Sequence, residues 1–135
     1  MKELLLFYST RLMELARDAS PDECCGILFH LPFAGINQHL VVPLPNVAPN
    51  TDREFLIDHT DYLQACLHAN ATPWALYHSH PTGTPAPSVT DCRLMDALET
   101  CHIPLSMVIV GLHPASVRVY EKRAHVYAMV EEVDL

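Results

Sequence analysis

The stretch Trp74-Ala75-Leu76-Tyr77-His78-Ser79-His80 runs through a loop, Pro81 to Pro87, into Ser88-Val89-Thr90-Asp91, and its reading decides the fold. The first part is an apolar run of strand length, and the last is a helix start. Side chains alternate between the faces of a strand, so His78 and His80 point the same way. Two imidazoles so placed can converge on one ion. The loop, with Pro81, Gly83, Pro85 and Pro87, can turn the chain back and bring Asp91 beside the strand end as a third ligand. A His/His/carboxylate set leaves a fourth zinc position for water, the arrangement of a catalytic rather than a structural site. A second reading of the same residues stays open. Histidines also pack or face solvent, and this chain has 9 of them. Ser88-x-x-Asp91 is also a capping-box pattern, in which both side chains satisfy free N–H groups at a helix end.

Set beside Glu23 in Pro21-Asp22-Glu23-Cys24-Cys25-Gly26-Ile27-Leu28, and with Ala86-Pro87-Ser88 ahead of Asp91, this pattern resembles the signature of the JAMM (MPN-domain) zinc metalloproteases. The resemblance spans essentially the whole chain and is to the compact prokaryotic type. It implies an α+β, cytidine-deaminase-like fold with a mixed sheet flanked by helices. It further implies one Zn2+ per chain held by His78, His80 and Asp91, with Glu23 as the base and then the acid. Ser88 would donate to the oxyanion of the tetrahedral intermediate. By residue type alone Asp22, Asp52, Glu54 and Asp58 could claim the role of Glu23, so that choice rests on the resemblance. Compact relatives without long insertions trim the C-terminal tails of small ubiquitin-like, sulfur-carrier proteins. The implied activity is therefore that of a zinc metallopeptidase or isopeptidase acting after an extended, Gly-rich tail. Two alternatives stand beside it: a phage-tail or cell-wall peptidase, and a non-catalytic MPN scaffold that only binds partners. The oligomeric state is left open, a homodimer included.

Composition bounds the rest. At 135 residues and 50% hydrophobic, residues 1–135 read as one domain able to bury a sizeable core. The net charge of -8 disfavours a nucleic-acid partner, which would need a basic face. No apolar run is long enough to span a membrane, and Lys2 is followed at once by Glu3, unlike a signal peptide. The 5 Cys, an odd number, fit reduced thiols in a cytoplasmic setting. Cys24 and Cys25 read as small buried side chains, and no Cys-x-x-Cys pair offers a second metal site.

Along the chain, an apolar opening at 4–8 precedes a helix capped by Ser9 or Thr10 and ending near Ala19. Strands are expected at 24–31, 38–42, 53–57, 74–80, 105–111, 117–120 and 124–130, the 117–120 segment half-exposed. A turn is expected over 32–37 and a Pro-rich loop over 43–50. Two more helices are expected, one capped within 58–61 and ending near Asn70, the other from Val89 to Cys101 with Leu94, Ala97, Leu98 and Cys101 on one face.

Overall fold

The computed structural model describes residues 2–33, 36–103 and 105–135. Alternation along β3 (Pro73–His80) divides the domain in two. Ala75 and Tyr77 face one side of the sheet, and Leu76 and His78 face the other. β3 is an inner strand of a six-stranded sheet ordered β2 (Ile36–Leu44), β1 (Cys25–Phe33), β3, β4 (Ser106–Leu112), β5 (Ala115–Arg123), β6 (Val126–Asp134). Only β3 and β4 pair in parallel; the other neighbours are antiparallel. A parallel pair needs a crossover, and α3 (Val89–Thr100) supplies it. The result is the expected α+β architecture, a mixed sheet with three helices.

α1 (Lys2–Ala19) covers the first face. Leu5, Tyr8, Leu12 and Ala16 recur every three or four residues and bury against Leu28, Ala75, Tyr77, Val108, Val110, Val117 and Val119. Full burial of each large apolar side chain contributes about 1.5–3 kcal/mol of transfer free energy. The phenol of Tyr8 enters this core satisfied: its hydroxyl donates to Phe29 O at 2.7 Å and accepts from Trp74 Nε1 at 3.2 Å. The helix therefore starts seven residues before the expected Ser9 cap, because the apolar stripe already runs through Leu5 and Tyr8. Ser9 is buried inside the helix and donates its hydroxyl to Leu5 O at 2.8 Å.

The second face carries α2 (His59–Ala69) and α3, packed over Ile27, Phe29 and Leu76. Asp58 caps α2 by accepting from Thr60 N and Asp61 N, and Asn70 ends it in the left-handed region at φ 50°. The expected strand over 53–57 is absent. That segment is irregular, and the amide of Asn46 takes the place of a strand neighbour. Its Nδ2 donates to Glu23 O and Glu54 O at 3.0 Å each, and its Oδ1 accepts from Ala48 N and Leu56 N at 3.1 Å each. The hairpin of β1 and β2 runs further than expected, to Phe33 and from Ile36; the tip of the expected turn, residues 34–35, lies outside the described residues. β5 is buried on both faces rather than half-exposed, with Ser116, Val117, Val119 and Tyr120 all inside. β6 runs to Asp134, four residues past its expected end, because Glu132 pairs with Arg118 across the hairpin and conceals the strand as a charged tail.

Gly26 sits where β1 meets the ring of Tyr77. A Cβ there would lie 2.3 Å from Val42 O and 2.5 Å from the Tyr77 ring, both fixed by the sheet. Gly26→Ala is expected to lower unfolding free energy by about 2 kcal/mol or more in urea denaturation. A change within about 0.5 kcal/mol, the range of ordinary surface substitutions, would contradict this packing.

Candidate metal centre

His78 and His80 end β3 on the face that α3 covers, and Asp91 stands in the first turn of that helix. The loop between them returns the chain over a short distance because Gly83 takes φ +78° and Pro85 buries. Three atoms then meet. His78 Nε2 lies 3.0 Å from His80 Nε2 and 3.0 Å from Asp91 Oδ2, and His80 Nε2 lies 3.2 Å from the same oxygen. Ligands about 2.0–2.1 Å from a tetrahedral zinc ion stand about 3.3 Å apart, so the triangle has the size of one face of such a site.

Its hydrogen-bonding chemistry calls for a cation. His80 Nδ1 is 3.0 Å from the Thr84 carbonyl, which can only accept, so Nδ1 carries the hydrogen and neutral His80 presents a bare lone pair at Nε2. That lone pair faces a carboxylate oxygen at 3.2 Å. His78 Nε2 has one hydrogen at most to offer and cannot relieve the edge between the other two. A proton or a metal ion among the three atoms removes the conflict, so the residues fit a metal. The same need for positive charge appears in their proton affinities. Burial alone would raise Asp91, but the hydrogen bonds from His78, His80 and the Ser88 N–H hold it far below the usual carboxylate range. Burial pulls His78 down, whereas in His80, which opens to solvent, Asp91, the Thr84 carbonyl and Glu23 overcome burial and raise it.

Glu23 completes the group. Its carboxylate oxygen and a ring nitrogen of each histidine lie within 4.8 Å of one another. Three backbone ties place it just ahead of β1: Glu23 N donates to Thr51 O at 2.7 Å, Asn46 holds its carbonyl, and Cys24 N donates to Ser79 Oγ at 2.9 Å. Burial first, with Asp91, Glu54 and Asp52 adding and His80 opposing, pushes its carboxyl up to about 7. Ser88 lies at the exposed rim and caps α3. Its Oγ accepts from Asp91 N at 3.1 Å while Asp91 Oδ2 accepts from Ser88 N at 2.9 Å. This contact uses a lone pair of the hydroxyl and leaves its hydrogen to donate.

The resemblance points to the Pro-rich loop that holds Asn46 and to Phe55-Leu56-Ile57 as neighbours of a substrate groove, but the contacts of Asn46 and Phe55, and any role for Ser79, escaped the sequence reading. The ring of Phe55 stacks on His78 at 4.3 Å and 21° and shields it from water. Beyond Phe55 opens a cavity of about 490 Å³ between α2 and α3, lined by Ile57, Tyr62, Leu76, Leu94 and Leu98 among others. Cys25 is buried and free, with its thiol pushed up to about 12 by burial; Cys92 is raised as well, by burial and then by Asp91 and Asp96. Neither thiol is a ready nucleophile.

The family of prokaryotic homologs of the JAB domain matches residues 8–123. The chain belongs to that family. Its JAB fold and the His78, His80 and Glu23 group suggest a metallohydrolase. Comparison with curated proteins gives no match. Among solved structures it is similar to protein DSY2949 from Desulfitobacterium hafniense, at 24% identity and a TM-score of 0.65, covering 90% of this chain and 84% of that one. This likeness bears on the fold alone. None of the described helices is long and apolar enough to cross a membrane.

Glu23 also links the site to stability. Its folded pKa, about 7, exceeds the ordinary 4.5, so in metal-free protein the native state holds a proton that the unfolded state has released between those values. Stability falls as pH rises through this window. In protein kept in chelator, Glu23→Gln is expected to be more stable than wild type at pH 8, by on the order of 1–3 kcal/mol, and to show no advantage at pH 4. Equal urea midpoints for the two proteins at pH 8 would contradict it.

Proposed function

We propose that this JAB domain is a zinc metallopeptidase, or isopeptidase, that cuts at the C-terminal tail of a small ubiquitin-like, sulfur-carrier protein. The observation that carries the hydrolase reading is the triangle of His78 Nε2, His80 Nε2 and Asp91 Oδ2, with edges of 3.0, 3.0 and 3.2 Å, beside the buried carboxylate of Glu23. These three residues would hold the ion, which when bound supplies a Lewis acid and brings the pKa of water toward ~7.

The chain's own groups do the rest. Glu23, whose carboxylate oxygen stands beside both histidines, takes a proton from the attacking water and passes it to the departing nitrogen. The free hydrogen of Ser88 donates to the carbonyl oxygen as charge develops there. Phe55 keeps bulk water from His78, and the apolar cavity behind it receives a side chain of the substrate tail. The ubiquitin-like substrate is supported by the compact, insertion-free chain and by this groove for an extended tail beside the site.

Elemental analysis of protein purified without chelator is expected to find about one zinc per chain in wild type and in Glu23→Gln, and essentially none in His78→Ala. Glu23→Gln should retain the metal while losing about 10²–10⁴ in kcat on a sulfur-carrier protein extended by one residue beyond its Gly-Gly end, followed by intact mass. Well-folded wild type that takes up no zinc after add-back would end the hydrolase reading. Ala97→Trp, which fills the cavity, is expected to raise KM about tenfold or more with zinc content unchanged. An unchanged KM would remove the cavity from the substrate path.

A further inference from the structure

The turn between β3 and α3 is held from outside the ligand set. Within it Pro85 is buried, whereas Thr84 and Ala86 on either side are exposed. The Pro85 ring packs on Gly111 of β4, where an added Cβ would lie 3.1 Å from the ring's Cβ and Cγ and 3.3 Å from its Cδ. The Pro85 carbonyl accepts a buried hydrogen bond from the Tyr120 hydroxyl of β5 at 3.0 Å. That hydroxyl accepts in turn from Arg118 Nη1 at 3.3 Å, and Arg118 is anchored by Glu132 of β6. Immediately before Pro85, the Thr84 carbonyl accepts the Nδ1 hydrogen of His80 at 3.0 Å. A residue that precedes proline is confined to extended ψ, the torsion that aims its own carbonyl. Fixing Pro85 therefore fixes where the Thr84 oxygen points.

We infer that Tyr120 is a positioning residue of the metal centre: through Pro85 it holds the Thr84 carbonyl that sets the tautomer and ring orientation of His80. This rests on the reading of His78, His80 and Asp91 as metal ligands. With Nδ1–H bound to Thr84, the lone pair of His80 stays on Nε2, the atom that meets His78 and Asp91. Without the Tyr120 contact, the exposed segment 82–84, which includes Gly83 at φ +78°, keeps, among the described contacts, the Pro85–Gly111 packing and the His80 hydrogen bond itself to hold the carbonyl in place. Groups that orient a ligating histidine typically change metal affinity 10–100-fold when removed. Here that group is a backbone carbonyl that no substitution deletes, so Tyr120 and Gly111 are the handles on it.

Tyr120→Phe keeps the ring packed and removes only the hydroxyl. In full-length protein loaded with zinc, its release of zinc to excess chromogenic chelator is expected to be about 10–100-fold faster than wild type. The visible absorption bands of the cobalt(II)-substituted variant should shift as the ligand field relaxes. Gly111→Ala, which crowds Pro85 from the other side, should do the same and decides the matter alone if Tyr120→Phe fails to fold. Wild-type release rates and an unchanged cobalt spectrum in the folded variants would overturn the inference, even with a lowered melting temperature, since the tyrosine would then be merely structural. Wild type that takes up neither zinc nor cobalt would overturn the metal-centre reading itself, and this inference with it.

Discussion

One oxygen, Oδ2 of Asp91, joins the start of α3 to the end of β3. It accepts the N–H of Ser88 that opens the helix, and it stands 3.0 and 3.2 Å from the two histidines that close the strand. A capping box and a metal ligand were competing readings of Ser88-x-x-Asp91; the capping box is present, and the same carboxylate oxygen also faces both histidines. The parallel pairing of β3 and β4 makes this economy natural. The pair requires a crossover, the crossover helix must begin near the end of β3, and its cap is the first side chain to reach the strand's last residues. Removing Asp91 would therefore disturb the helix entry and the contact with both histidines together, whereas His78 can be removed with the cap left in place.

How legible each part was follows from how local its cause is. That His78 and His80 share a strand face and that Ser88 and Asp91 open a helix beside them was readable, because strand alternation and the helix-start pattern both act within a few residues. β3 and β4 were readable as apolar runs, and α2 and α3 from their caps. Glu23 was not readable from its surroundings. Its place depends on Asn46, Thr51 and Ser79, far along the chain, and its type is shared by several nearby acids, so only the resemblance singled it out. The 53–57 segment shows the limit in reverse. Phe55-Leu56-Ile57 has strand composition, but a single amide at Asn46, in the loop Pro45-Asn46-Val47, supplies four hydrogen bonds that make a strand partner unnecessary. An Asn among prolines was the available signal, and nothing local says which backbone groups it will reach.

A buried carboxyl group is costly to ionise, and at Glu23 burial together with Asp91, Glu54 and Asp52 outweighs the opposing His80. Asp91 is offset by two imidazoles and a backbone N–H. Glu23 has its backbone secured on three sides, while among the described residues its carboxylate has no such set of donors. The same burial that destabilises its charge brings its proton affinity to the range where a group both takes and gives a proton at neutral pH.

The faces of α3 divide labour in a way its sequence pattern conceals. Met95 and Asp91 are buried toward the sheet, while Leu94 and Leu98 are only partly covered and Ala97 and Cys101 are exposed. An apolar stripe of this kind normally closes on a neighbouring element. Here α2 stands off far enough to leave the cavity of about 490 Å³. Phe55 forms its wall toward the site and lies with its ring on His78, so an apolar group lodged in the cavity would be one ring's thickness from that histidine. With a net charge of -8, the chain attracts acidic partners poorly, and among the described residues Arg93 and His59 are the basic side chains lining this cavity. Apolar contact, which is short-ranged and little screened by salt, is then the stronger determinant of what this cavity holds.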